Sequence, residues 1–158
     1  MTTWEDWAGY VADCLMQLGN GDALVVRAVG VPTRSVLDRR SRLGELIPER
    51  RRDDVPFFQF LHMGEAIRGE LVGDPSIGGR FPWTPEERGQ ILALGWQDPT
   101  GDPFFAEHYR RLWPTQHGVI DGAEAAGIAA VAARTADEVL GCESPAALHT
   151  QVVRGAAS

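Results

Sequence analysis

Side chains capable of chemistry are scattered along this sequence. His62, His108, His117 and His149 stand far apart, and no pair has the short helical spacing that brings two imidazoles to one metal ion. Cys14 and Cys142 lack partners at ligand spacing and lack a neighbouring base, so they read as structural thiols. Asp53-Asp54 and Asp137-Glu138 are adjacent in the chain, and such neighbours on a helix do not face each other as an acid–base pair must. GVPTRS and GDPSIGG carry glycine without the spacing and Lys of a phosphate loop, and turn chemistry accounts for them. The reading is of a chain with no catalytic residues, no metal site and no cofactor.

The polar constellation with defined geometry lies in FFQFLHMGEAIRGELV, Phe57 to Val72. Two apolar runs flank Gly64-Glu65, the pattern of a β-hairpin with a two-residue turn. That turn sets Met63 opposite Ala66, Leu61 opposite Arg68, Gln59 opposite Glu70 and Phe57 opposite Val72. Phe58, Phe60, His62, Ile67, Gly69 and Leu71 then share a core face, and Gln59, Leu61, Arg68 and Glu70 share the other. A Gln59–Glu70 hydrogen bond on a half-apolar face has two readings. It staples the hairpin, or, with Leu61 and Arg68 beside it, it offers a partner both apolar contact and hydrogen bonds. The runs RRSR and ERRRDD gather Arg34, Arg39, Arg40, Arg42, Arg50, Arg51 and Arg52. They read as a solvated loop or, functionally, as a guanidinium clamp for an acidic segment.

Bulk properties narrow the partners. The 158 residues are enough for one core, and the net charge of −7 with a pI near 5.0 disfavours nucleic acid and anionic membrane. All basic side chains except histidine are Arg, with no Lys, which suggests GC-rich coding and an actinobacterial source. An acidic amino terminus without an apolar run lacks the look of an export signal, and a cytoplasmic setting is expected.

The elements that must position the hairpin follow from periodicity. Trp4, Trp7, Val11, Leu15 and Leu18 repeat at helical spacing after Thr3, a candidate N-cap. Ala23 to Val29 reads as a strand beside the hairpin. Residues 30–56 read as an Arg-rich irregular excursion, with a little strand at Thr33–Leu37 and a helical turn at Leu43–Ile47. Thr84, Pro85 and Glu87 form a capping box for a helix with Ile91, Leu92 and Leu94 on its apolar side; Gly95 closes it and Trp96 folds back. Gln97 to Gly118 reads as a loop dense in packed aromatics, including Phe104, Phe105 and Trp113. An Ala-rich helix carrying Ile128, Val131, Ala132, Thr135 and Val139 follows up to Gly141, and Ser144-Pro145 predicts a last helix reaching about Val153. The order predicts a single α+β domain over 1–158: an N-terminal helix, an antiparallel sheet of three or more strands, and helices on one face.

FFQF, the GEL that contains Glu70, and TPEERGQILALGWQDP resemble the TY-Chap group, peptide-binding chaperones related to type III secretion chaperones (CesT-like) and to YbjN-like proteins. The most specific pieces are Phe58-Gln59-Phe60, Glu70, and Leu94-Gly95-Trp96 with Pro99, and the resemblance runs from about Phe57 to Leu148. It implies a small α+β protein, often a homodimer, that presents a sheet and helices to a peptide or protein client and has no catalytic centre. On this reading Gln59, Leu61, Arg68, Glu70, Arg50, Arg51 and Arg52 bind the partner, while Phe58, Phe60, Thr84, Gly95 and Trp96 are structural. A structural homo-oligomeric subunit and a small-molecule enzyme with an unrecognised site are the alternatives.

Overall fold

The computed structural model describes residues 3–38, 50–73, 81–98 and 108–155. Helix α1 (Trp4–Gln17) begins at its expected cap, where the Thr3 hydroxyl accepts the Asp6 N–H at 3.1 Å and satisfies a donor that the first turn leaves open. Its buried stripe is Trp7, Val11 and Leu15. Strand β1 (Ala23–Ala28) follows, then a two-stranded antiparallel ribbon of β2 (Arg34–Asp38) and β3 (Arg50–Asp54). The hairpin is β4 (Phe57–His62) and β5 (Ala66–Val72). Helix α2 (Pro85–Ala93), strand β6 (His108–Pro114), helix α3 (Gly122–Arg134) and strand β7 (Leu148–Val153) complete the order.

Five strands make one antiparallel sheet in the order β6-β5-β4-β1-β7. Alternation gives that sheet one dry face. Leu24, Val26, Ala28, Phe58, Phe60, Ile67 and Leu71 are fully buried there, in one core with the α1 stripe and with Ala125, Ile128, Ala129 and Ala132 of α3. The alanines let α3 sit close against α1. Each large side chain removed from water contributes roughly 1.5–3 kcal/mol, so the core fixes which face of the hairpin turns inward.

Four expectations change. Residues 30–56 are not wholly irregular, because β2 and β3 pair through the register Arg34↔Asp54, Val36↔Arg52 and Asp38↔Arg50, which sets opposite charges across both ends. The Leu43–Ile47 turn, Arg39, Arg40, Arg42, Pro99, Phe104 and Phe105 lie outside the described residues. The Gln97–Gly118 loop contains β6, whose Tyr109 is buried and whose Trp113 packs on the core. The last helix is instead a 3₁₀ turn, Pro145–Ala147, leading into β7. Ser144-Pro145 signals the first turn correctly, but LHTQVV alternates half-buried and exposed residues and pairs along all of β1, a long-range gain that outweighs the local signal.

The α2 capping box is complete: Thr84 Oγ1 accepts the Glu87 N–H at 3.1 Å and Glu87 Oε1 accepts the Thr84 N–H at 2.9 Å. Ile91 and Leu94 are buried, whereas Leu92 is largely exposed, since it points away from the sheet. Gly95 takes φ +94° and sends the chain so that Trp96 enters the core. The indole stacks on Phe60, meets Trp113 edge-on at 6.5 Å, and donates from Nε1 to Thr135 Oγ1 at 3.0 Å. Thr135 opens a π-helical turn, Thr135–Val139, at the end of α3, and its hydroxyl in turn donates to Val131 O at 2.7 Å. Gly69 lies beneath both indoles, where a Cβ would stand 2.9 Å from Trp113 and 3.1 Å from Trp96. Sheet, α2 and α3 therefore meet at one tryptophan.

Asp22 ties the other side. Its carboxylate accepts the N–H of Gly155 at 2.9 Å and of Gly19 at 2.8 Å, and Arg154 donates to it at 2.7 Å, which joins the end of β7 to the turn between α1 and β1. These backbone bonds, then the guanidinium, lower its pKa from 3.8 to about 2.

Two measurements check this. Trp96→Ala is expected to cost on the order of 3–5 kcal/mol in denaturant unfolding, and Trp96→Phe less, because the ring volume is mostly kept. A lowered native pKa means that Asp22 adds stability above its ordinary value, lost as pH falls from about 4 to about 2. Asp22→Asn is therefore expected to flatten that part of the melting temperature against pH.

Candidate functional site

The helices cover one side of the sheet, and the register puts three rows of side chains on the other. The first row reads Gln151, Val25, Gln59, Glu70 and Arg110 from β7 to β6; the second reads Val153, Ala23, Leu61, Arg68 and Leu112; the third reads His149, Arg27, Phe57, Val72 and His108. Gln59 stands opposite Glu70 and Leu61 opposite Arg68, the register that the Gly64-Glu65 turn predicts.

The first row holds an organised polar centre. Gln59 Nε2 donates to Glu70 Oε2 at 2.7 Å, and Arg68 Nε lies 2.8 Å from Glu70 Oε1. Glu70 is only 7% exposed, so leaving its charge without these partners would be costly. Both carboxylate oxygens are thereby engaged. The second row is mainly apolar, with Leu112 and Val153 well exposed and Leu61 half-buried. An apolar strip thus runs beside a hydrogen-bonded strip across the sheet, and a partner can lose water on one while meeting donors and acceptors on the other.

Charge is uneven. The chain carries −7 overall, yet the rows contain Arg27, Arg68 and Arg110 against Glu70 alone. The face is locally basic on an acidic protein.

Arg50, Arg51 and Arg52 do not lie on this face; they belong to β3 of the separate ribbon. Its register puts Arg50 and Arg52 on one side with Val36, and Arg51 on the other. The ribbon is anchored by Arg34, which sequence reading assigned to the solvated run. Its guanidinium donates to Glu87 Oε1 and Oε2 at 2.6 and 2.8 Å and to Pro82 O at 2.9 Å, and it lies 4.9 Å from the Phe81 ring centre. This fork geometry suits Arg over Lys. It holds the Glu87 carboxyl below the usual range, and the same Glu87 caps α2. Among the described residues no group of three or more His, Cys, Asp or Glu is placed to hold a metal ion, and no helix there is long and apolar enough to cross a membrane.

Phe58 and Phe60 are buried on the core face, and Thr84, Gly95 and Trp96 build the α2 cap and its exit. Val25, Arg27, Arg110, Leu112, Gln151 and Val153 were not singled out from sequence. The signal for them is period-two alternation in ALVVRA, HYRRLWP and LHTQVV, which locates a face only once strand order is known.

The family model of T3SS (YopN, CesT) and YbjN peptide-binding chaperone 3, TY-Chap3, matches residues 1–154. The chain belongs to this family. No curated protein and no solved structure matches it. TY-Chap3 membership covers every element from α1 to β7, a wider span than the Phe57–Leu148 stretch that carries the resemblance, and it gives the class as a peptide-binding chaperone.

A double-mutant cycle checks the polar centre. Gln59→Ala is expected to cost about 0.5–1.5 kcal/mol and Glu70→Ala more, about 1–3 kcal/mol, because it also removes the carboxylate beside Arg68. The two are expected to couple positively in urea unfolding; strictly additive losses would show that the 2.7 Å contact contributes nothing.

Proposed function

We propose that this TY-Chap3 chain is a non-enzymatic, cytoplasmic chaperone or adaptor that holds a client polypeptide on the open face of its five-stranded sheet. What supports the reading is the pair of adjacent rows: an apolar strip through Leu61 and Leu112, and a hydrogen-bonding strip through Gln59, Glu70 and Arg110. A merely solvated face has no need of a largely buried Glu70, whereas an apolar partner surface would leave that charge unused.

The client this face suits is a segment with apolar side chains and interspersed Asp or Glu. Its apolar groups gain by covering Leu61, Leu112 and Val25, and its carboxylates meet Arg27 and Arg68. Gln59 and Glu70 hold the face in shape, and the Arg50–Arg52 ribbon supplies a second, outlying basic contact. Rim charges of this kind act mainly on association rate and salt dependence. The chain also self-associates in this proposal.

The test is capture from the native cells with tagged protein at low salt, followed by titration of the recovered client. A client in defined ratio is expected. Leu61→Asp is expected to weaken its binding by roughly tenfold or more through a lost apolar contact and an added repulsion. Arg50, Arg51 and Arg52 changed together to Ser are expected to weaken it at low salt and not at high salt. Equal affinity of the Leu61→Asp protein, at any salt, would remove the open face from the client site. Turnover of a metabolite in place of client capture would overturn the chaperone reading itself.

A further inference from the structure

The two edges of the sheet are unlike. At β6 the edge carries Arg110, Arg111 and Pro114, and Gln97 pairs with Arg110 through two backbone hydrogen bonds of 2.7 and 3.0 Å. Charge, proline and a covering segment are the usual means of stopping one sheet from adding to another. Strand β7 has none of them. Its sequence LHTQVV contains no formal charge and no proline, it is straight through six paired positions with β1, and among the described residues no strand pairs with its outer side. His149, Gln151 and Val153 are exposed on it.

The order of side chains along β7 selects the occupant. About Thr150 the strand is a chemical palindrome: Leu148 and Val152 are apolar, His149 and Gln151 are neutral hydrogen-bonding groups, and Thr150 stands between them. We infer that β7 pairs with β7 of a second copy of this chain, antiparallel and centred on Thr150, giving a two-fold dimer with one continuous ten-stranded sheet. This count follows from the five strands of each copy.

In that register Leu148 meets Val152 of the second copy, Thr150 meets Thr150, and His149 meets Gln151, all cross-strand pairs of favourable kind. Because the pairing residues sum to an even number, residues of like face meet, so both helix layers lie on one side and both open faces on the other. A register shifted by one position breaks that match, and one centred on Gln151 sets Leu148 against Arg154. The interface is isologous, as a two-fold dimer requires. It leaves the rows through Gln59 and Leu61 uncovered and makes them continuous across two copies. The inference stands on the edge alone, whatever the open face holds.

The experiment is analytical ultracentrifugation of the full chain over a dilution series, with far-ultraviolet circular dichroism to confirm folding. The wild type is expected to be a dimer that dissociates on dilution, on the order of micromolar for an interface of one strand pair. His149→Lys with Gln151→Lys places lysines opposite each other at two points and is expected to raise the dissociation constant by at least about tenfold. His149→Glu with Gln151→Lys places Glu against Lys at the same two points and is expected to restore the dimer. Centring on Gln151 instead would set Lys against Lys, so failure of this charge-swapped variant overturns the register. A wild type that is monomeric at every concentration, or a dimer indifferent to the paired lysines, overturns the interface. A monomer that loses its captured client when β7 carries the lysines assigns the edge to the client, and overturns it as well.

Discussion

Everything on the open face depends on one two-residue turn. Gly64, at φ +81°, takes the first central position of the β4–β5 hairpin, where only glycine is unstrained. The turn is then fastened from outside. Gly64 N–H donates to His62 Nδ1 at 3.1 Å, which leaves the His62 Nε2 proton to reach Gly118 O at 3.0 Å, and Thr115 donates from its hydroxyl to Gly64 O at 2.6 Å. A slip of one residue would carry Phe58, Phe60 and Leu71 into water and Gln59, Arg68 and Glu70 into the core. Both the dry face and the ion-paired face therefore hang on the same register.

His62 shows how this constraint crosses the molecule. Sequence reading places it on the core face of the hairpin, and it is 4% exposed there, yet its two ring nitrogens serve two turns far apart in the chain. Trp96 plays the matching part at the other end of the hairpin, joining Phe60, Trp113 and the π-helical turn at Thr135. Between them the hairpin is clamped at both ends, and the polar centre on its open side is held to within hydrogen-bond tolerance.

Much of this was legible in the sequence where the signal was local. The Thr3 and Thr84 caps, the Gly64-Glu65 turn and the Gln59–Glu70 pairing rest on residues a few positions apart or on a register counted from a turn. What was not legible was long-range. β7 carries the first-turn signature of a helix in Ser144-Pro145, and only its pairing with β1, more than a hundred residues away, settles it as a strand. β6 has Arg110, Arg111 and Pro114, poor strand formers in isolation, and becomes a strand because Tyr109 and Trp113 reach the core from an edge where charge and proline are tolerated. Half of the candidate face lies on those two strands and on β1, so sequence gave its centre and not its extent. Arg34 was hidden differently: its partner Glu87 had already been given a full role as a helix cap.

The contrast between edges links the fold to its assembly. A sheet with five strands has two rows of unpaired backbone groups to manage, and this chain spends Gln97, two arginines and a proline on one of them. Such devices weaken a strand, so their absence from β7 is not explained by economy of stability: LHTQVV pairs better with β1 without them, but it also pairs better with anything else. In a chain of charge −7, general repulsion keeps copies apart at long range and a locally neutral edge is where they can approach. The same edge, once covered, directs the remaining exposed apolar residues Leu61 and Leu112 away from self-contact, onto a face that two copies present side by side.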